Sequence, residues 1–491
     1  MGASSSKPAD SHLAGRDPAR TAAAQALANT HAAVLTSIKI DGSVVLASND
    51  EAYQELRSSA FSYNDCGYPS VIFLPKHAQD VSTIIKAIAP LQLDLAIACG
   101  KHSAICLPDN AIVIDLLHLN GVTVNKDERW IDVGGGAKLG VADQALAGSG
   151  LGFVTGTNPD TGVGGLTQAG GWGWLARQHG MAVDHWLEAD VVLATGELVS
   201  VNDTNDHKDL MRALRGGAGN FGVVTRFRFA LHPVDKCDYG ILVRMSPTKT
   251  AATNTVHAFV RHMKDAPSFA SGMVILPCGA PVVVNVVTAV GSKEVVKDST
   301  WIKGARRLQG PWFSPMNKIK TDGDYNMGLQ PVLAAFTQRG FALSTSYFVK
   351  EMNDAMVDVL IHFTRVQIPS KKAAIMAACL GGAIAKGIPE RPHAMSHREN
   401  GWWLVIEAMG PDMEPETVAR HKQWVADLKA AIIAVDSSVA QASHVFFDTK
   451  GQEGSTTTAY DSATKQFLRQ IKTQYDPANV FHMNHNILPL E

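Results

Sequence analysis

From about Tyr68 onward the chain alternates short apolar runs with amphipathic stretches. YPSVIFLP reads as a short strand. KHAQDVSTIIKAIAPL carries apolar positions at helical spacing and ends at a proline, which cannot continue a helix. DLAIACG, AIVIDL and WIDVGGG follow as strands, and LGVADQALAGSG as a helix closed by glycine. LEADVVLATGELVSV predicts two strands about a turn at Gly196, HKDLMRALRGG a helix, and GVVTRFRFALHP a strand ended by Pro233. Ahead of these, ARTAAAQALANTHAAVL is rich in helix formers. Past Pro233, strands such as YGILVRM, MVILP and PVVVNVVTAV alternate with helical runs such as TNTVHAFVRHMKDA and PETVARHKQWVADLKAAIIAV. A last helix, SATKQFLRQIKTQY, precedes the tail DPANVFHMNHNILP. The pattern predicts an α+β fold of short strands, with no internal repeat.

One stretch departs from this texture. Between Leu151 and Gly180 glycines crowd together and acidic side chains almost vanish. Gly162, Gly164, Gly165, Gly170, Gly171 and Gly173 leave the main chain uncovered. Bare N–H groups around a concavity can hold an anion such as a pyrophosphate. A second stretch, GAGNFG at Gly217–Gly222, fits G-x-G-x-x-G. A dinucleotide fingerprint of that form follows a strand and opens a helix. Here the helix comes first and the strand after, so a Rossmann reading is set aside.

Composition narrows the field. At 491 residues the chain exceeds a usual single domain, and 46% hydrophobic content supports large cores. A formal net charge of −2, with no basic run among aromatics, gives no footprint for nucleic acid. The six cysteines form no C-x-x-C pair, so neither a metal site nor a disulfide framework is indicated. AAIMAACLGGAIA is too short to span a bilayer. The N-terminal MGASSSKPADSHLAGRD has no apolar signal core but fits the myristoylation pattern at Gly2 and Ser6. One such chain gives weak, reversible membrane contact. The expectation is a cytoplasmic protein, with membrane association through Gly2 as a variant.

Six motifs then occur in order: ACGKHS, AIVIDLLHLNGVTVN, VGGGAKLGVADQAL, the run from GVGGLTQAGGWGW to ATGELV, DLMRALRGGAGNFGVVTRFRFALHPV, and YDPANVFHMNHNI. This order resembles the berberine bridge enzyme-like flavin oxidases of the vanillyl-alcohol oxidase superfamily. The resemblance covers about Tyr68–Val234 and Tyr460–Pro489. It implies a two-subdomain PCMH-type FAD-binding domain and a substrate domain, an antiparallel sheet backed by helices, with the flavin between them. The expected bounds are 1–35 for a tail and helix, 36–236 for the FAD domain with its core at 68–236, 237–449 for the substrate domain, and 450–491 for a segment completing the FAD domain.

The resemblance also assigns roles. His102 stands where the family carries a histidine bonded to the 8α-methyl carbon of FAD. The family usually has glycine just before it, so Lys101 is expected to put a long side chain beside the flavin. Many relatives add a second tether through a cysteine in the later glycine loop. That position holds Asn158 and no other cysteine lies near it in sequence, so a covalent bond through His102 only is expected. Gly100, Lys101, His102 and Ser103 would form the first pyrophosphate loop. Thr161, Gly162, Gly165 and the turn Gly170, Gly171, Gly173 would form the second. Val224 would meet the adenine side, and Asn484 and Asn486 would return to the flavin. Two residues compete for the catalytic base. Tyr460 matches a family tyrosine by its spacing to YDP. Glu407 shares a strand face with Trp403 and Val405, where burial would raise a carboxyl's pKa. His397 and Arg398 in AMSHREN would border the pocket. The implied activity is an oxidase taking hydride from a C–H next to oxygen or nitrogen of a small secondary-metabolite substrate, with dioxygen as acceptor. A biosynthetic cyclase on the same scaffold, and a non-enzymatic interaction protein held at membranes through Gly2, are the alternatives.

Overall fold

Three larger sheets and a two-stranded one, Leu151–Gly152 with His232–Pro233, carry the described residues. The computed structural model describes residues 17–63, 66–103, 105–296, 300–309, 317–336, 339–399, 401–441 and 459–491. Gly2 and its acylation pattern lie outside them.

The first sheet runs Ser43–Leu46, Val71–Leu74, Ile112–Asp115, Leu95–Ala98. The last three are parallel, and two of them are buried along their whole length. Parallel strands covered on both faces read as unbroken apolar runs, which is why VIFL and IVID were legible. The helix Ala78–Ile88 covers one face with Val81, Ile84 and Ile85. The helix former-rich N-terminal stretch becomes two helices, Pro18–Thr30 and Ala32–Ser37. Asp17 caps the first by accepting from the N–H groups of Ala19 and Arg20.

The second sheet is antiparallel: Val122–Asn125, Trp130–Gly134, Val223–Ala230, Trp186–Val192, Leu198–Asn202. Along Val223–Ala230, Phe227 and Phe229 enter the core, while Arg226 and Arg228 face outward onto Asp132, Glu188 and Asp190. The predicted turn at Gly196 joins the last two strands, with Gly196 at φ 76°.

The third sheet has seven antiparallel strands: Lys318–Lys320, Lys236–Met245, Val282–Gly291, Ala270–Pro277, Ala374–Cys379, Trp402–Gly410, Phe341–Val349. Its residues alternate between two environments. Val274, Leu276, Leu404 and Ile406 pack against the helices Lys249–Lys264, Asp354–Arg365 and Pro415–Val435. Met273, Ile275, Phe348 and Ala378 pack against Trp172, Trp174 and Leu175 of the glycine-rich stretch. The register sets Pro277, Ala374, Glu407 and Ser344 in one row across four strands of this second face.

Two segments tie the layers together. The N–H of Phe61 donates to the Lys101 carbonyl at 2.8 Å, and that of Tyr63 to the Gly340 carbonyl at 2.9 Å. At the other end, Lys472 is buried against Asp476 at 2.7 Å and also donates to the carbonyls of Asn220 and Phe481. This fastens the C-terminal tail over the Gly217–Gly222 turn. Among the described residues no helix is long and apolar enough to cross a membrane.

Candidate active site

The first glycine loop leaves the strand Leu95–Ala98 and turns at Gly100. A Cβ there would stand 2.0 Å from the Gly162 nitrogen, and one on Gly162 would stand 2.3 Å from the Gly100 nitrogen. The two glycine loops therefore meet main chain to main chain. Gly100→Ala must force them apart, at about 1–3 kcal/mol of stability. A lower Tm and a lower flavin content per chain are the expected readouts.

Lys101 takes φ 58°, the left-handed region where glycine is at ease. The residue lines the cavity described below, and neighbouring side chains hold its ammonium. It binds Asp115 at 2.6 Å and donates to Ser59 at 2.8 Å, with both charged side chains buried. A buried carboxylate needs such a partner.

His102 follows. Its ring stacks on Phe61, with centroids 4.4 Å apart and planes within 17°. Its Nε2 is buried without a hydrogen bond and lies 3.5 Å from Asp160 Oδ2. Asp160 also pairs with Lys138. Burial alone would raise the Asp160 carboxyl, but its contacts with His102 and Lys138 outweigh it and hold the pKa down at about 2.

Both loops open on a cavity of about 310 Å³. One wall is largely bare main chain from Gly100, Gly135, Gly156, Gly162, Gly164 and Gly165, joined by Ser103, Asn158, Thr161, Gly171 and Val224. Ala218, Gly219 and Gly222 also line it, so the GAGNFG turn set aside as a Rossmann motif serves this site in another way. Asn484 closes the wall, donating to the carbonyls of Gly219 and Phe481. Buried polar atoms of the lining that have no hydrogen-bond partner among the described residues include Gln168 Oε1, Trp172 Nε1 and Asn484 Oδ1. Buried polar atoms are normally satisfied, so such orphans fit a bound polar molecule. A long dinucleotide held mainly by backbone groups suits this wall.

The opposite wall belongs to the seven-stranded sheet. Met273, Met376, Trp403 and Val405 surround Glu407, whose carboxylate accepts a hydrogen bond from Ser344 Oγ at 2.6 Å. Trp403, Val405 and Glu407 share this face, as strand alternation predicted. Burial pushes the Glu407 carboxyl up to about 7, with the Ser344 hydrogen bond pulling the other way.

Several sequence-picked residues fall elsewhere. Tyr460 is buried, and its hydroxyl donates to the Gly216 carbonyl at 2.8 Å, away from the cavity lining. Burial raises its pKa, with no charged neighbour to offset it. Gly173 packs against Thr155, where a Cβ would come within 1.8 Å of its carbonyl oxygen. Gly170 turns beside Met395 at φ 116°. Neither these two glycines nor Asn486 line the cavity. His397 and Arg398 do not border it either. Arg398 is spent on Asp184 and the Ile384 carbonyl. Two cysteines, Cys99 and Cys106, also line the cavity. Burial raises the Cys99 pKa and keeps it a poor nucleophile. Phe61, Asp160 and Ser344 were missed. Asp160 lies inside NPDTGVGG, and Ser344 and Ser346 alternate in FALSTSYFV, but the partners that give them meaning are distant in sequence.

The cavity thus joins a main-chain cradle to an apolar wall that carries the Glu407–Ser344 carboxylate–hydroxyl pair. Residues 69–202 match the FAD binding domain family, and residues 451–488 match the berberine and berberine-like family. An FAD-linked oxidoreductase of Dictyostelium discoideum is 27% identical over 461 residues, 91% of this chain and 95% of its own. Another, from Bacillus subtilis, is 25% identical over 92% of this chain and 98% of its own. The fold is shared with 6-hydroxy-D-nicotine oxidase of Arthrobacter nicotinovorans, with a TM-score of 0.77 and 22% identity over 92% of this chain and 98% of that one. It is also shared with glucooligosaccharide oxidase of Acremonium strictum, described with a 6-S-cysteinyl, 8α-N1-histidyl FAD. That TM-score is 0.76, at 20% identity over 94% of this chain and 99% of that one. The chain thus carries an FAD binding domain and a berberine-type segment, and its relatives of similar length are FAD-linked oxidoreductases.

Proposed function

We propose that this protein is an oxidase whose FAD is attached through His102 alone and whose catalytic base is Glu407. The observation that carries this reading is the Glu407–Ser344 pair, which lines the same cavity as the glycine cradle among Met273, Met376, Trp403 and Val405. FAD, when bound, supplies the hydride acceptor and, in this reading, passes the electrons on to dioxygen. The loops at Gly100–Ser103 and Thr161–Gly165, with Val224 and Asn484, would hold it.

Glu407 takes the proton from the O–H or N–H next to the reacting C–H. Ser344 occupies Oε2 and leaves Oε1 to accept that proton. Met273, Met376, Trp403 and Val405 keep water away from the carboxylate, and this burial brings its pKa near neutrality, where a general base works best. The same wall favours a small, largely apolar substrate, because a molecule rich in hydroxyls would find few partners there. Asn158 at the second-tether position and the raised Cys99 thiol support a single covalent link.

The test is substrate-dependent loss of the visible flavin band across alcohols and amines. Bleaching by none of them would refute the reading. Asp160 faces the Nε2 side of His102 and fixes which ring nitrogen is left for the flavin. Asp160→Asn should slow flavin attachment by roughly the 10–100-fold typical of losing the group that orients a histidine. The readout is the colour retained in acid-precipitated protein at successive times after FAD is added to apoprotein.

A further inference from the structure

A second chamber of about 120 Å³ adjoins the main cavity and shares Phe61, Met376 and Glu407 with it. Glu407 thus stands at the junction of the two. Ile275 and Met376 lie on its inner side, Pro277 lies in its own row and Met409 lies beyond it, and Lys371 and Lys372 also line the chamber. The register explains the order. Pro277, Ala374 and Glu407 share one cross-strand row, Ile275, Met376 and Val405 lie one row inward, and residues 371–373 enter the sheet from the outer edge. Both lysines are exposed, and neither has an ion-pair partner among the described residues.

We propose that this chamber receives the far end of the substrate, and that the substrate is an amphipathic carboxylic acid. Its oxidisable carbon lies at Glu407, its apolar stem lies along Pro277 and Met409, and its carboxylate lies at Lys371 and Lys372. The proposal rests on reading the main cavity as the active site. Three features carry it. The passage is apolar along its length, so it offers nothing to a chain of hydroxyls. Its outer end carries two cations, so a neutral stem gains from ending in an anion. And Lys372 precedes Ala374, the cross-strand partner of Glu407, by two residues, roughly 7 Å of extended chain. With the reach of a lysine side chain added, the acid group and the reacting carbon are separated by a stem of several carbons. A substrate held at both ends also keeps the reacting C–H in one place, which is the usual value of remote binding groups.

The experiment is calorimetric titration of the purified holoenzyme with phenylbutanoate and with phenylbutanamide, a pair that differs only in charge at the far end. It needs no turnover, so it stays informative even if no substrate bleaches the flavin, and the two readings fail separately. The acid should bind about tenfold more tightly than the amide, as expected of two exposed ion pairs, and the gap should close as salt is raised. Lys371→Glu together with Lys372→Glu should abolish the preference. Met409→Trp, which fills the chamber, should weaken both probes. Equal affinity for acid and amide, no binding of the acid, or a preference that survives the lysine substitutions would overturn the proposal and leave the chamber as a path for water or dioxygen.

Discussion

Glutamine in place of Glu407 should lower kcat by about 10²–10⁴-fold, the range that a positioned general base contributes. The amide keeps the shape and the Ser344 contact but cannot take a proton. In the parent enzyme the base works only when ionised, and its pKa is pushed up to about 7. Turnover should therefore rise as pH climbs through about 7, level off above it and fall away below. Ser344→Ala should move that inflection upward, because the lost hydrogen bond favours the ionised form. Stability gives an independent readout. A carboxyl whose folded-state pKa stands above its ordinary 4.5 makes the native state lose stability as pH rises from about 4.5 to about 7. The glutamine variant lacks that loss, so its Tm at alkaline pH should exceed that of the parent. A Glu407→Gln protein that keeps full kcat and the same pH profile would remove Glu407 from the chemistry.

Replacing His102 with alanine should take covalently held flavin to nil. Acid-precipitated parent protein should stay yellow, and mass spectrometry should find the flavin mass on the peptide containing His102. The alanine variant should give a colourless pellet with all flavin in the supernatant. The two cavity cysteines are poorly placed to substitute, since burial holds the Cys99 thiol in its neutral form and Cys106 donates its thiol to the Ser103 carbonyl at 3.0 Å. The native variant should still bind FAD, because the cradle at Gly100, Gly162, Gly165 and Asn484 is untouched. A pellet that stays yellow would show that another residue carries the link.

Much of this architecture could be read from the chain because its strands are short apolar runs bounded by glycine and proline, and because the ordered motifs fall on the cavity wall. What escaped depends on contacts between residues far apart in sequence. Lys101 looked like an intruder at a glycine position. Its side chain direction is decided by Asp115, which lies on a neighbouring strand. Tyr460 and Glu407 were both candidates in sequence, but Glu407 lines the cavity while the Tyr460 hydroxyl is turned to the Gly216 carbonyl. Phe61 lies in a stretch with no periodic pattern, yet it stacks on His102 and hydrogen-bonds to the very loop that carries it. GAGNFG was rightly denied a Rossmann role by its order of helix and strand. That argument could not show that the turn would face the same cavity from the other side.

The lining of that cavity begins at Phe61 and ends at His485. During synthesis the glycine loops therefore emerge from the ribosome long before the tail that completes their enclosure. A nascent chain halted before Asn484 would present the glycine loops without the segment that closes the wall over them.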